Sequence, residues 1–342
     1  MSVSLDGSNG ITFNDGSSQT AAASPYGLKN RIINGDMRID QRNAGASVTP
    51  SSGNTYTLDR WFLAASQASK VSIQQSSTAP TGFTKSLKVT SLSAYTVGSS
   101  DYFDIVQKIE GYNIADLGFG TANAKTFTFS FWVQSSITGT FGGVLLNGSE
   151  NYSYPFTYTI SAANTWEQKS ITVTAPTGGT WFSDNNSGLE ILFGLGAGST
   201  YSGTANSWAS ATYLSATGGQ SVVGTNGATW YVTGVQLEVG STATPFERRM
   251  YGYELALCQR YWWTNPNTYR YVKMRESTRL RGITISLPVT MRATPTITKI
   301  SDPTDITWTW GPASPTSVYG DGTAPSDGYT DWSGVMQASA EL

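Results

Sequence analysis

Between residues 229 and 262 the spacing of apolar side chains switches from two residues to between three and four, and no other stretch constrains the fold as tightly. Val235, Leu237 and Val239 alternate with Gln236 and Glu238, the pattern of a strand with one buried face. From Met250 onward, Tyr251, Leu255, Cys258 and Trp262 fall at helical spacing, which predicts a short helix with one apolar stripe. Pro245 marks the corner between the two patterns. A β module therefore ends near Arg248, and a second unit begins after it.

Upstream the two-residue period recurs. Phe127, Phe129, Phe131 and Val133 share one face, with Thr126, Thr128, Ser130, Trp132 and Gln134 on the other, and Leu189, Ile191, Phe193 and Leu195 repeat the pattern. Asn147-Gly148 predicts a two-residue hairpin turn, further strands are expected at 86–90, 102–109 and 169–174, and Gly234 predicts a bulge. This spacing fits a two-sheet sandwich over residues 28–248. Composition agrees, because 13% charged residues and 36 glycines suit an all-β chain with turn-rich connections. The length of 342 residues suits two or three domains. Residues 1–27, where Ile11 and Phe13 precede Asn14-Asp15-Gly16, predict a hairpin too small for a core of its own. Residues 249–342 predict the helix followed by a smaller β domain. There Ile283, Ile285, Leu287 and Val289 alternate, Pro288 assigns that strand to an edge or bulge, and Ile306, Trp308 and Trp310 share a face.

Five strings carry a resemblance. QLEVGSTATPFERRMYGYELALCQRY (236–261), NRIINGDMRIDQR (30–42) with YTLDRWF (56–62), LDGSNGITFNDGSSQTAA (5–22) and the terminal SAEL resemble segments of bacteriophage tail fibres and related receptor-binding virion proteins. The resemblance implies a jelly-roll sandwich like that of carbohydrate-binding modules over 28–248, and virion attachment to other tail or capsid proteins through 1–27. It also implies a homotrimer joined through 249–342, host-surface polysaccharide as the partner, and a place on the phage particle after assembly in the host cytoplasm. The alternative is a structural virion protein, such as a capsid fibre or a baseplate or tail decoration, without a receptor of its own. Many such modules hold a structural calcium beside their first and last strands. Here Arg38 follows Asp36, and Thr233-Gly234 stands where an acidic pair is usual, so neither metal nor cofactor is expected.

The chain has no histidine, which removes Ser-His-Asp and Cys-His nucleophilic machinery and His-ligated zinc. Cys258 is the only cysteine, so it forms no intrachain disulfide and reads as a small core residue. No phosphate-binding glycine loop is present. A net charge of −2 without a polybasic run predicts no nucleic-acid partner. No secretory signal and no membrane span are expected from the apolar runs. What survives for catalysis is a pair of carboxylates across a cleft. Asp101, Asp104, Asp184 and Glu190 have no diagnostic spacing, and no β-helix period accompanies them, so the expectation is a protein that is not an enzyme and a depolymerase is a distant third reading.

Sugar binding asks for exposed rings beside amides, hydroxyls and carboxylates. Trp181, Tyr201, Trp208 and Tyr213, with Asp184, Asn185 and Asn186, form the candidate cluster of the sandwich. Trp308, Trp310, Tyr319, Tyr329 and Trp332 form one in the last domain. Each ring either stacks on sugar or seals an end of the fold. Tyr251, Leu255, Cys258 and Trp262 are the candidate trimer seam. The basic run Arg248, Arg249, Arg260, Arg270, Lys273, Arg275, Arg279, Arg281 and Arg292 reads as inter-subunit ion pairing or as an anionic-polysaccharide site.

Overall fold

The computed structural model describes residues 29–265, 268–274, 279–299, 307–323, 328–334 and 336–342, together with 4–6, 10–12 and 18–19. Side chains are described for 29–265, 284–298, 309–311, 314–320 and 336–342. At the N-terminus β1 (Ser4–Asp6), β2 (Gly10–Thr12) and β3 (Ser18–Gln19) pair antiparallel in sequence order, a three-stranded meander in place of a single hairpin. The turn predicted at Asn14-Asp15-Gly16 lies outside the described residues.

The chain then lays down thirteen strands, most of them in two sheets. They are β4 (Gly53–Tyr56), β5 (Phe62–Ala65), β6 (Val71–Ser76), β7 (Ser86–Ser91), β8 (Tyr102–Glu110), β9 (Phe127–Ser135), β10 (Gly139–Asn147), β11 (Ser153–Ile160), β12 (Glu167–Val173), β13 (Ser187–Ala197), the two-residue β14 (Ser202–Gly203) and β15 (Ser215–Ala216), and β16 (Thr229–Val239). One sheet has the order β11-β10-β13-β8-β5-β4 and the other β12-β9-β16-β7-β6. From β8 onward the chain switches repeatedly between them, as a jelly roll requires. The result is an all-β sandwich followed by a small β domain.

Two-residue alternation drives this arrangement. The rings of Phe129 and Phe131 on β9 meet Phe193 on the facing β13 at centroid distances of 5.6 and 5.0 Å. Trp230 on β16 donates its indole N–H to the Tyr158 hydroxyl on β11 at 3.1 Å, so two polar tips in the core satisfy each other. Gly234, with φ 61°, forms the expected bulge, and the β16–β9 register shifts between Thr233 and Gln236. The β10–β11 connection is longer than the predicted two-residue turn. It runs from Asn147 to Ser153, and the Asn147 carboxamide oxygen accepts the N–H groups of Asn151 and Tyr152 at 2.9 Å each.

After the corner comes α1 (Tyr251–Gln259), then β17 (Trp262–Thr264), β18 (Thr268–Met274), β19 (Arg279–Ser286), β20 (Thr296–Lys299), β21 (Thr307–Ser314), β22 (Ser317–Thr323), β23 (Gly328–Gly334) and β24 (Met336–Ser339). They pair as β17-β24-β20, β18-β23 and β19-β22-β21, and a small core includes Trp263, Leu287, Met291, Val318, Met336 and Ala338. Leu287 is buried past the end of β19, which stops at Ser286 before Pro288.

Two expectations about this region need correction. Trp262 lies on β17 and not on the helix, and both it and Cys258 are covered within the chain, Cys258 among Ile33, Ile39 and Tyr261. Neither is available to a trimer seam. Tyr251 stays 54% exposed and Leu255 half-buried. Three of the four described arginines of the basic run also find polar partners at home, Arg248 being the exception. Arg249 contacts Glu247 and Glu254, Arg260 grips Glu110, and Arg292 donates to the carbonyls of Asn185, Ala340 and Glu341. Glu341, next to last in the chain, pairs with Arg42 and with the fully buried Arg60, whose guanidinium lies over the Tyr261 ring. The ends of the last domain therefore lock onto the opening segment of the sandwich. Arg270, Lys273, Arg275, Arg279 and Arg281 fall outside the described side chains.

Candidate functional site

On β8 the side chains alternate between the core and the outer face of the six-stranded sheet. Phe103, Ile105 and Ile109 point into the core cluster, which leaves Tyr102, Asp104, Val106 and Lys108 on the other side. The neighbours in register extend that face, with Phe62 and Ala64 on β5 opposite Val106 and Asp104, and Glu190, Leu192 and Gly194 on β13 opposite Lys108, Val106 and Asp104. All of these outer-face residues except Gly194, with Asn54, Leu146, Glu150, Tyr201, Thr212 and Leu214, line a cavity of about 280 Å³. The connection from β13 to β16 walls it, and Tyr201 packs its ring edge-to-face on Tyr102 at 5.4 Å.

The groove gathers charge on an apolar floor. Lys108 Nζ sits 2.8 Å from Glu190 Oε1 and 3.2 Å from Glu150 Oε1. Burial pushes Glu190 up to about 7 against the opposing pull of Lys108. Asp104 is fully buried, neither of its carboxyl oxygens has a hydrogen-bond partner, and burial holds its pKa well above the ordinary carboxylate range. An apolar cavity with a few converging polar groups is the usual form of a small-ligand site.

The carboxylates singled out from sequence divide between structural and groove positions. Asp101 accepts from the Tyr95 hydroxyl at 2.7 Å and the Gly98 N–H at 2.9 Å, which lower it to about 2, and it pins the loop before β8. Asp184 accepts from the backbone and side chain of Asn186 at 2.9 Å each and shapes its own turn. Asp104 and Glu190 both face the groove but stand four residues apart in register, about 14 Å at ~3.4 Å per residue.

The sugar-binding candidates of the sandwich also separate. Trp208 stacks on Tyr152 at 5.5 Å and meets Trp181 edge-on at 5.6 Å, and Trp181 packs on Phe119 at 4.8 Å. Their indole N–H groups donate to the carbonyls of Thr174 and Gly178. Both tryptophans are half-buried and pack against the main core. Asn185 exchanges hydrogen bonds with the Arg292 backbone and side chain, which places it at the junction with the last domain. Tyr201 lines the groove and Tyr213 packs against its apolar floor. In the last domain Trp310 packs against the small core, and the side chains of Trp308, Tyr329 and Trp332 lie outside the described residues.

Lys108, Glu150 and Tyr102 were missed from sequence. Only Lys108 carries a local signal, since Asp104 and Lys108 stand at alternate positions on one face of the otherwise largely apolar β8, whereas Glu150 comes from the β10–β11 connection and no local pattern points to it. Among the described residues no group of three or more His, Cys, Asp or Glu could hold a metal ion. Near the first and last strands Asp36 pairs with Arg38, while Glu238 accepts from the Thr244 N–H at 2.9 Å and lies 4.0 Å from Lys29. Among the described residues no helix is long and apolar enough to cross a membrane.

No family model matches the chain, and no curated protein matches it. Among solved structures, part of the chain resembles the enzymatically active domain of bacteriophage CBA120 tailspike protein 4, at 14% identity and TM-score 0.35 over 64% of this chain and 22% of that one. It also resembles a family 11 carbohydrate-binding module from Clostridium thermocellum, solved with a mixed-linked tetrasaccharide, at 13% identity and TM-score 0.30 over 57% of this chain and all of that one. A family 4 carbohydrate-binding module gives 16% identity and TM-score 0.30 over 60% of this chain and 98% of that one. At these values the function rests on the groove and its chemistry.

Proposed function

We propose that the chain is a non-catalytic glycan-binding protein of a phage particle, which takes a host-surface sugar chain in the groove on the outer face of the six-stranded sheet. The observation that carries this reading is the convergence of Tyr102, Tyr201, Lys108, Glu150 and Glu190 around one cavity in an otherwise apolar face. The tyrosine pair offers ring surface to the C–H face of a pyranose, and the ion-paired groups that line the same cavity offer donors and acceptors to its hydroxyls.

The same geometry argues against hydrolysis. Glycosidases place their two carboxyls roughly 5–9.5 Å apart, whereas Asp104 and Glu190 stand four residues apart in register, with backbones about 14 Å apart at ~3.4 Å per residue. Glu150 and Glu190 are close enough, but the Lys108 ammonium stands between them and occupies the place of a scissile oxygen. In this reading residues 1–27 attach the fibre to the particle. A homotrimer multiplies weak single-site binding into stable adsorption, with the exposed Met250, Tyr251 and Tyr253 at the start of α1 as its contact face. The N-terminal and junction strings support the virion assignment by resemblance.

The test is adsorption. Purified protein is expected to bind host cells and to block phage adsorption, and Tyr201→Ala is expected to remove most of that effect while the polysaccharide keeps its chain length. Protein that neither binds nor competes favours the structural virion role, and progressive shortening of the glycan favours an enzyme.

A further inference from the structure

On the opposite side of the sandwich, the outer face of the five-stranded sheet carries a second cleft of about 470 Å³ where β16 turns toward α1. Its walls are the rings of Phe83, Phe246 and Trp132, with Gln168 and Ser130 at its sides. Phe83 and Phe246 meet edge-to-face at 5.2 Å. The Gly234 bulge makes this packing possible, because a Cβ there would stand 2.7 Å from the Phe83 ring and 3.1 Å from Trp132. The left-handed backbone and the aromatic platform therefore occur together.

Arg248 completes the cleft. Its guanidinium lies 4.6 Å from the Phe83 centroid and 5.8 Å from that of Phe246. Its side chain is exposed, and unlike its neighbour Arg249 it has no carboxylate partner among the described residues. Two rings thus hold a planar cation at the edge of an open aromatic surface, with its outward N–H groups available. A guanidinium fork matches a carboxylate bidentately, and stacking on rings fixes its plane beforehand.

We propose that this cleft is a second ligand site, separate from the groove, for a saccharide bearing a carboxylate. The apolar face of a uronic acid ring would lie on Trp132 and Phe83, its carboxylate on Arg248, and its hydroxyls on Gln168 and Ser130. Charge and shape together commit the site to an acidic sugar. A neutral sugar would leave the cation unused, and a bare anion would leave the rings unused.

Titration of the full-length protein with a galacturonic acid oligosaccharide, followed by tryptophan fluorescence and NMR, tests the assignment. Binding is expected to weaken at least tenfold in Arg248→Gln, to weaken further in Trp132→Ala, and to fall as salt is raised. The carboxyl-reduced neutral oligosaccharide is expected to bind at least tenfold less tightly than the acidic one. The proposal is overturned if the acidic oligosaccharide fails to bind, if Arg248→Gln binds it as the parent does, or if the neutral form binds equally. It is also overturned if inorganic phosphate competes as well as the oligosaccharide, or if Arg248→Gln changes the oligomeric mass, since the cation would then serve a bare anion or a second copy of the chain. Arg248 is exposed, so the glutamine variant keeps the fold and each outcome stays readable.

Discussion

Arg260, just past the end of α1, holds both carboxylate oxygens of Glu110 at the end of β8, with Nη2–Oε1 at 2.6 Å and Nε–Oε2 at 3.0 Å. Tyr261 adds its hydroxyl to the same carboxylate at 2.7 Å. Glu110 is 1% exposed, so residues 260 and 261 keep a buried charge of the sandwich satisfied. Removing one partner of a buried pair typically costs about 3–5 kcal/mol. Because Tyr261 remains, Arg260→Ala is expected to lower stability by about 3 kcal/mol, measured as a shift in the denaturant midpoint. A shift under about 1 kcal/mol would show that water replaces the guanidinium at this site.

A chain ending at Arg248 is expected to lose more than assembly. It strips Glu110 and Arg60 of their ion-pair partners, so its midpoint should fall well below that of the full chain. Mass measurement alongside separates the two effects. A truncated sandwich that remains trimeric, or a full chain that is a monomer at micromolar concentration, would exclude residues 249–342 as the assembly region.

The groove makes stability fall as pH rises. Asp104 and Glu190 are both raised above their ordinary values, so the unfolded chain ionises first and the native state holds the extra protons. For Glu190 the stabilising contribution is full below about 4.5 and is lost as pH climbs through about 7. The melting temperature is expected to drop across that window, and Glu190→Gln is expected to flatten the drop. Asp104→Asn should flatten whatever fall continues above it. An unchanged pH profile in both variants would refute these protonation states.

Trp208→Ala is expected to lower stability by about 2–4 kcal/mol, since it removes a half-buried ring that stacks on Tyr152 and meets Trp181. Glycan binding by the folded variant should change little. Tyr201→Ala should behave the opposite way, with binding weakened by about 1–3 kcal/mol and a smaller effect on melting. Isothermal titration and thermal melts on the same samples distinguish a seal from a contact.

Gly234→Ala places a methyl group against the Phe83 ring at a φ of 61°. A loss of about 1–3 kcal/mol is expected, combining left-handed strain with the clash. The NMR signals of Phe83 and Trp132 should shift with it. A neutral result would mean that the bulge can slide along β16.

The sequence alone determined the all-β class, strands at 86–90, 102–109 and 169–174 that fall within a residue or two of the observed ones, the bulge at Gly234 and the short helix after Met250. These follow from short-range rules, because alternation, helical spacing and turn residues are written in neighbouring positions. Tertiary structure alone decided which residues share a site. Asp104 and Glu190 are 86 positions apart and face one groove only because β8 pairs with β13, and Trp181 and Trp208 meet only because Phe119 and Tyr152 bring them together. The same holds for Arg60 and Glu341, which belong to the opening segment of the sandwich and to the end of the last domain. Their pairing depends on where the last domain docks, and no local pattern encodes a contact across 281 residues.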